Sequence, residues 1–234
     1  MDTRGCHSAW SQGDFIELGV WKGGLCILAK AIFQSYRQYE RKVFLADSFD
    51  GIPQVNTSAF PADAAHKYAH TIGILSKNYT GGQETVVKNF NLYFNVHSQR
   101  SALGRNALIM PQNDPLEVDF SVKIEFIKGY FKDTLPVAIS KQRFMCFAVL
   151  RLDGDTYQST WESLEYLYPY LNDEGLVIVD DFCDWSGSFN AVHDFREKYK
   201  ITTPIIQVYH NEGEGLSGVY FMKPKSDGSH QFCK

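Results

Sequence analysis

Phe15-Ile16-Glu17-Leu18-Gly19-Val20-Trp21-Lys22-Gly23-Gly24 is a short apolar run that breaks into a glycine-rich turn, and a helix-periodic segment from about Leu25 to Tyr36 follows it. Strand, glycine turn and helix in that order open a doubly wound α/β sheet. The helix is apolar almost all round (Leu25, Ile27, Leu28, Ala31, Ile32, Phe33), which predicts that it is buried against the sheet.

Outward from this stretch the pattern repeats. Val43 to Ala46 reads as a second strand ending in Asp47-Ser48, and Lys123 to Lys128 as a third. Phe147 to Leu152 is a near-continuous apolar run, as a strand covered on both faces requires, and it ends at Asp153-Gly154-Asp155. Ser159 and Glu162 form an S-x-x-E capping box for a helix whose apolar face (Trp161, Leu164, Leu167, Tyr168, Leu171) runs until Gly175. Leu176 to Val179 is the next strand and ends in Asp180-Asp181. A helix from about Phe189 to Tyr199 precedes strands at Ile205 to Tyr209 and Gly218 to Met222, whose Gly-rich link, Asn211 to Ser217, suits an antiparallel hairpin.

The segment between the second and third strands is less regular. Residues 54 to 95 carry weak helical signals, and Val96 to Pro115, with Gly104, Pro111, Asn113 and Pro115, has no clear period. An irregular connection this long reads as a lid or an insertion.

At 234 residues, 44% hydrophobic and 21% charged, the chain suits one domain spanning 1–234, with a short leading segment, 1–12. Its net charge of −4 and lack of a basic run argue against nucleic acid as a partner. No apolar stretch approaches the ~20 residues that span a bilayer, and Met1 to Asp14 lacks a signal-peptide profile, so no membrane partner and a cytoplasmic location are expected. Cys6, Cys26, Cys146, Cys183 and Cys233 show no paired spacing and read as reduced thiols, Cys26 and Cys146 as core filler and Cys183 as a neighbour of the acidic residues. The Asn56 and Asn78 sequons matter only in a secreted protein.

Glu17, Asp47, Asp153 and Asp180-Asp181 close four of the strands read above. Ligands of open α/β sheets sit outside the carboxyl ends of the strands, so these acids should meet in one crevice, where a cation or hydrogen-bond donors must offset their repulsion. For Glu17 and Asp47 the expected donors are cofactor ribose hydroxyls, approached over Gly19 and Gly23. The spacing G-x-x-x-G-G differs from the dinucleotide fingerprint, and a plain tight turn beside solvated acids is the alternative. For Asp153, Asp180 and Asp181 an all-oxygen carboxylate set favours a hard dication, Mg²⁺ first. Adjacent strand residues point to opposite faces, so Asp180 and Asp181 share an ion only where the pleat has ended, and Asp181 as a cap of the next turn is the alternative. Asp155 is expected to stabilise the turn before the Ser159 helix.

Together with Phe15 to Gly24, the blocks Ala46-Asp47-Ser48-Phe49-Asp50-Gly51-Ile52-Pro53, Gly129-Tyr130-Phe131-Lys132-Asp133-Thr134-Leu135-Pro136, Leu150-Arg151-Leu152-Asp153-Gly154-Asp155-Thr156-Tyr157 and Val179-Asp180-Asp181-Phe182 resemble the macrocin O-methyltransferase (TylF/NovP-like) family. The resemblance implies a Rossmann-like class I methyltransferase fold: a mostly parallel seven-stranded sheet with a C-terminal antiparallel hairpin and helices on both faces. It implies Mg²⁺-dependent methyl transfer from S-adenosylmethionine to a hydroxyl of a small-molecule acceptor, typically a sugar of a natural product. Asp153, Asp180 and Asp181 match the metal aspartates, and Asp153 also matches the general base. Asp47-Ser48 matches the ribose-gripping position, and Gly129-Tyr130-Phe131 the block beside the adenine. The family's helical N-terminal extension helps close the site and build a homodimer, whereas here about a dozen residues precede the first strand; Tyr130 stands where Trp is usual and Phe182 where Tyr is usual. A non-catalytic cofactor-binding protein of this fold, and a glycosyltransferase using Asp153-Gly154-Asp155 as a D-x-D metal motif, are the alternative readings.

Overall fold

The computed structural model describes residues 13–71, 82–103, 122–144, 146–209 and 216–226. Cys6, Cys233, the Asn78 sequon, residues 104–115 of the expected insertion and residues 211–215 of the final link lie outside the described residues. Seven strands form one sheet: β1 (Asp14–Leu18), β2 (Lys42–Asp47), β3 (Lys123–Lys128), β4 (Phe147–Leu152), β5 (Leu171–Val179), β6 (Ile206–Tyr209) and β7 (Leu216–Met222), in the order β3-β2-β1-β4-β5-β7-β6. β1 to β5 are mutually parallel, whereas β7 runs antiparallel to both β5 and β6. The helices are α1 (Gly24–Ser35), α2 (Ala64–Thr71), α3 (Gln83–Leu103), α4 (Phe131–Ser140), α5 (Tyr157–Leu167) and α6 (Ser186–Lys198).

Two cores flank the sheet because alternate strand residues point to opposite faces. On β2, Phe44 and Ala46 enter one core with Leu135 of α4, Leu164 of α5 and Phe195 of α6, while Val43 and Leu45 enter the other with Cys26 of α1 and Val86 and Phe90 of α3. β2 is therefore apolar at every inner position, as the sequence of a doubly covered strand must be.

Three local expectations are corrected. α1 is not wholly buried: Cys26 and Ala29 face the sheet, whereas Leu25, Leu28 and Ile32 are 39%, 52% and 45% exposed. Periodicity does not reveal this, since small side chains that permit close packing mark the inner face and large ones the outer. α5 is capped by Thr156, whose Oγ1 accepts the Ser159 N–H at 3.0 Å, rather than by a Ser159–Glu162 box. α5 also ends at Leu167 and not near Gly175, because Pro169 lacks the N–H that would continue it; a 3₁₀ turn, Tyr168–Tyr170, leads directly into β5. In the irregular middle region, α3 carries helix through Val96 to Leu103.

Candidate active site

The carboxyl ends of the five parallel strands are stitched in one line. Beyond the last strand residues, Gly129 N–H donates to the Asp47 carbonyl, Gly19 to Ala46, Asp153 to Leu18 and Asp180 to Leu152, at 2.8, 2.9, 2.8 and 3.0 Å. These bonds extend the sheet ladder by one residue, so the post-strand residues of β1 to β5 stand side by side. The loops then turn away through left-handed residues that are not glycine, Trp21 (φ 46°), Phe49 (φ 55°) and Asp155 (φ 61°), one after each of β1, β2 and β4. Such strain gathers where surrounding structure dictates the backbone and a site is built.

A cavity of about 660 Å³ opens above this line, a size suited to a small-molecule ligand. Gly19, Asp47, Ser48, Gly129, Tyr130 and Phe131 line it, as do Asp153, Asp180 and Asp181. Of the residues expected to face a cofactor, Glu17 and Gly23 are not among its lining. Gly23 sits at the N-terminus of α1 with φ 82°, and a Cβ there would meet Val86 Cγ1 at 2.8 Å, so its glycine serves packing against α3. Glu17 points into the sheet's α1 side, 3% exposed, where its carboxylate accepts from Cys26 Sγ at 2.7 Å and Arg151 Nη1 at 2.9 Å. Burial pushes its carboxyl up to about 7, against the opposing pull of Arg151 and Cys26.

Asp47 organises the turn after β1. Its Oδ2 accepts the N–H of Val20 at 2.6 Å and of Trp21 at 3.3 Å, and its Oδ1 accepts the N–H of Phe49 at 2.7 Å. Gly19 shows why that turn tolerates no side chain: at φ 94°, a Cβ would lie 1.8 Å from the Asp153 carbonyl oxygen.

Asp153, Asp180 and Asp181 each bring a carboxylate oxygen within 4.8 Å of the others. β5 ends at Val179, so the pleat no longer separates Asp180 from Asp181. Asp181 Oδ2 accepts the Asp155 N–H at 3.0 Å, tying the loop after β5 to the loop after β4. Asp155 itself is not part of the three-carboxylate group, and the turn there closes through the Thr156 N–H on the Gly154 carbonyl. Burial pushes the Asp181 carboxyl up to about 9, helped by the charges of Asp155 and Asp153. Burial also lifts Asp153, to about 6, with Arg151 pulling down and Asp180 pushing up. Oxygen donors alone, clustered and short of positive charge, are the donor chemistry of a hard dication.

Two further groups belong to the site. Arg151, the one charge in the apolar β4 run, bonds Glu17, Asp153 and Asp180; a lone arginine in a doubly covered strand was the available signal for it. Asp63, 1% exposed, comes from the segment after β2 and accepts the Tyr157 N–H at 2.6 Å and the Gln158 N–H at 3.4 Å. It caps α5 beside the Asp153 loop from 94 residues away in sequence, a partnership that no local pattern announces. Cys183 is exposed, Cys26 buried and Cys146 partly buried, each as a free thiol. No described helix is long and apolar enough to cross a membrane.

The sequence profile of the macrocin O-methyltransferase (TylF) family matches residues 8–101 and 118–222. The chain belongs to that family. Its match omits residues 102–117, which overlap the irregular stretch between α3 and β3. Among relatives, the chain is 33% identical over 199 residues to the mycinamicin III 3''-O-methyltransferase of Micromonospora griseorubida, covering 84% of this chain and 65% of the relative. It is 32% identical over 216 residues to the demethyldecarbamoylnovobiocin O-methyltransferase of Streptomyces niveus, covering 91% and 67%. The chain thus spans about two thirds of the length of these curated relatives. The structure of the O-methyltransferase NovP superposes with a TM-score of 0.69 at 32% identity, over 92% of this chain and 73% of that one. CalS11, a calicheamicin methyltransferase, shares the fold at 17% identity and a TM-score of 0.59, over 90% and 72%. This TylF-family chain therefore has the class I methyltransferase fold, with seven strands, an antiparallel end and helices on both faces.

Proposed function

We propose that this TylF-family chain transfers the methyl group of S-adenosylmethionine to a hydroxyl of a small molecule, a sugar or glycosylated natural product, with a divalent cation held by Asp153, Asp180 and Asp181. One observation carries the reading: Gly19 and Asp47, at the ends of β1 and β2, line the same cavity as the three-carboxylate group. Membership of the macrocin O-methyltransferase family supports it, as do relatives named as O-methyltransferases, one of them of a rhamnosyl-tetracenomycin.

Methyl transfer asks a protein to align an oxygen nucleophile with a sulfonium methyl and to take up one proton. Gly19 lets the cofactor approach the backbone, and Asp47 and Ser48 stand at the end of β2, where ribose hydroxyls are held in α/β nucleotide sites. Gly129, Tyr130 and Phe131 form the wall assigned to the adenine. Asp153 receives the acceptor's hydroxyl proton; a carboxyl titrating near 6 is ionised at neutral pH and is a stronger base than an ordinary aspartate. The oxygen forms its bond to the methyl carbon as the carbon–sulfur bond breaks, leaving S-adenosylhomocysteine. A dication held by Asp153, Asp180 and Asp181 would supply positive charge that lowers the hydroxyl's pKa. The three-carboxylate group does not include Asp155, which weakens the D-x-D glycosyltransferase alternative.

Calorimetry with S-adenosylhomocysteine, with and without Mg²⁺, tests the binding half, and UDP serves as the contrasting ligand. Asp153→Asn should keep S-adenosylhomocysteine binding and lose at least 100-fold in methylation of an accepted hydroxyl substrate. Equal turnover by Asp153→Asn, or binding of UDP in place of S-adenosylhomocysteine, overturns the proposal. Homodimerisation is part of the same proposal, and sedimentation equilibrium tests it.

A further inference from the structure

The acidic cluster already carries one cation of its own. Arg151 stands directly opposite Glu17 in the β1–β4 register and shares a face of the sheet with Asp153, two residues on. Its Nη1 donates to Glu17 Oε1 at 2.9 Å and to Asp153 Oδ2 at 2.5 Å, and its Nη2 forms an ion pair with Asp180 Oδ1 at 2.9 Å. Glu17 Oε2 is in turn held by Cys26 Sγ at 2.7 Å. The guanidinium thus fixes one oxygen of Asp153 by a hydrogen bond and draws one of Asp180 by charge, which orients each carboxylate's second oxygen.

A cation in this position raises an electrostatic problem, because an uncompensated guanidinium repels a dication bound to the same carboxylates. Glu17 resolves it. Buried behind Arg151 and off the cavity, it offsets the guanidinium charge while the guanidinium stays beside Asp153 and Asp180. With Glu17 ionised, the Glu17–Arg151 pair is neutral as a unit and leaves the charge that Asp153, Asp180 and Asp181 offer a dication uncompensated. A stability role alone does not account for the arrangement, since buried ion pairs seldom outperform apolar packing, which the neighbouring β4 positions use throughout.

We infer that Arg151 and Glu17 are a positioning pair: Arg151 orients the Asp153 and Asp180 carboxylates for a divalent cation and for proton transfer, and Glu17 cancels the charge with which Arg151 would repel that cation. The inference rests on the function proposed above. It moves Glu17 from the cofactor to the metal ligands' support.

The test measures Mn²⁺ binding to the full chain by electron paramagnetic resonance, before any turnover assay. Outer-sphere partners of metal ligands typically contribute 10- to 100-fold in metal affinity. Arg151→Met and Glu17→Gln should each bind Mn²⁺ at least tenfold more weakly than wild type while S-adenosylhomocysteine affinity stays within twofold. Arg151→Lys, which keeps the charge but not the fork, should recover only part of the loss. With an accepted substrate, kcat should fall in Arg151→Lys while KM for S-adenosylmethionine holds. If Arg151→Met fails to fold, Arg151→Lys and Glu17→Gln decide the matter. Mn²⁺ affinity within twofold of wild type in these variants overturns the inference and leaves the proposed function standing. A wild-type chain that takes up no Mn²⁺ refutes the metal role itself, and this inference with it.

Discussion

Gly19→Ala places one methyl group at the point where the sheet and the site meet, and its cost follows from the geometry. The new Cβ would lie 1.8 Å from the Asp153 carbonyl oxygen, 2.6 Å from its carbonyl carbon and 3.4 Å from its Cβ. Relief to an ordinary carbon–oxygen contact requires the ends of β1 and β4 to part by roughly 1.5 Å. That movement strains the Asp153 N–H bond to Leu18, 2.8 Å long, and the Gly19 N–H bond to Ala46, 2.9 Å long. A non-glycine residue at φ 94° adds about 1 kcal/mol or more of backbone strain, a weakened ladder bond about 1, and overpacking about 2. The sum, about 4 kcal/mol, corresponds to a fall in Tm of roughly 8–16 °C for a domain of this size. Thermal unfolding followed by circular dichroism measures it. Because Asp153 moves with its carbonyl, methylation should fall by about 100-fold even at temperatures where the variant is folded. A Gly19→Ala protein that melts within about 2 °C of wild type would refute the reasoning, since it would mean that the two loops separate at no cost.

Asp63→Ala removes the acceptor of the Tyr157 and Gln158 N–H groups in a buried position, leaving only the Thr156 cap on the first turn of α5, so it should destabilise by about 2–3 kcal/mol, with Asp63→Asn costing roughly half as much; urea unfolding distinguishes them. Metal binding should also be linked to protons. Burial, with the charges of Asp155 and Asp153, lifts the Asp181 carboxyl to about 9, so at pH 7 it holds a proton that a dication must displace. Mg²⁺ affinity should therefore climb between about pH 6 and 9, and calorimetry in two buffers of different ionisation enthalpy should register release of about one proton at pH 7. Without metal, Glu17, Asp153 and Asp181 are all raised above their ordinary values, so the native chain binds more protons than the unfolded one. Stability from these groups is complete below about pH 4 and is lost as pH rises through their folded values. The metal-free Tm should accordingly drop from pH 5 to pH 9, with Mg²⁺ flattening the decline; a metal-free Tm that rises over that range contradicts the assignment.

Strand identity was legible because burial on both sheet faces leaves an unmistakable trace. Val43-Phe44-Leu45-Ala46 is apolar since two cores claim alternate residues, and in β2 and β4 an acid appears only where the strand stops. Position along the carboxyl edge was legible for the same reason: a residue one step past a parallel strand has nowhere else to go. Partnership was not legible. That Glu17 turns to Cys26 and Arg151, and not toward the cavity, depends on the β1–β4 register and on which face of β1 it occupies. A one-residue shift in that pairing would reverse it, and nothing in the strand's composition fixes the shift. The hydrophobic pattern of α1 overstated its burial for a related reason, since Leu25, Leu28 and Ile32 satisfy helical periodicity as well as Cys26 and Ala29 do.

Convergent carboxylates demand a counter-charge, which can come from a ligand or from the chain itself. Arg151 supplies one positive charge to Glu17, Asp153 and Asp180, and Glu17 cancels it. Burial works against the charge on Arg151, but the fields of Asp153, Glu17 and Asp180 outweigh it and hold the guanidinium above its ordinary pKa. What remains, three aspartates whose oxygens gather within 4.8 Å, is still short of positive charge after the protein's own cation has been counted. The deficit that points to a dication is thus the one left over once Arg151 has been counted, and it lies in the lining of the same cavity as Gly19 and Asp47.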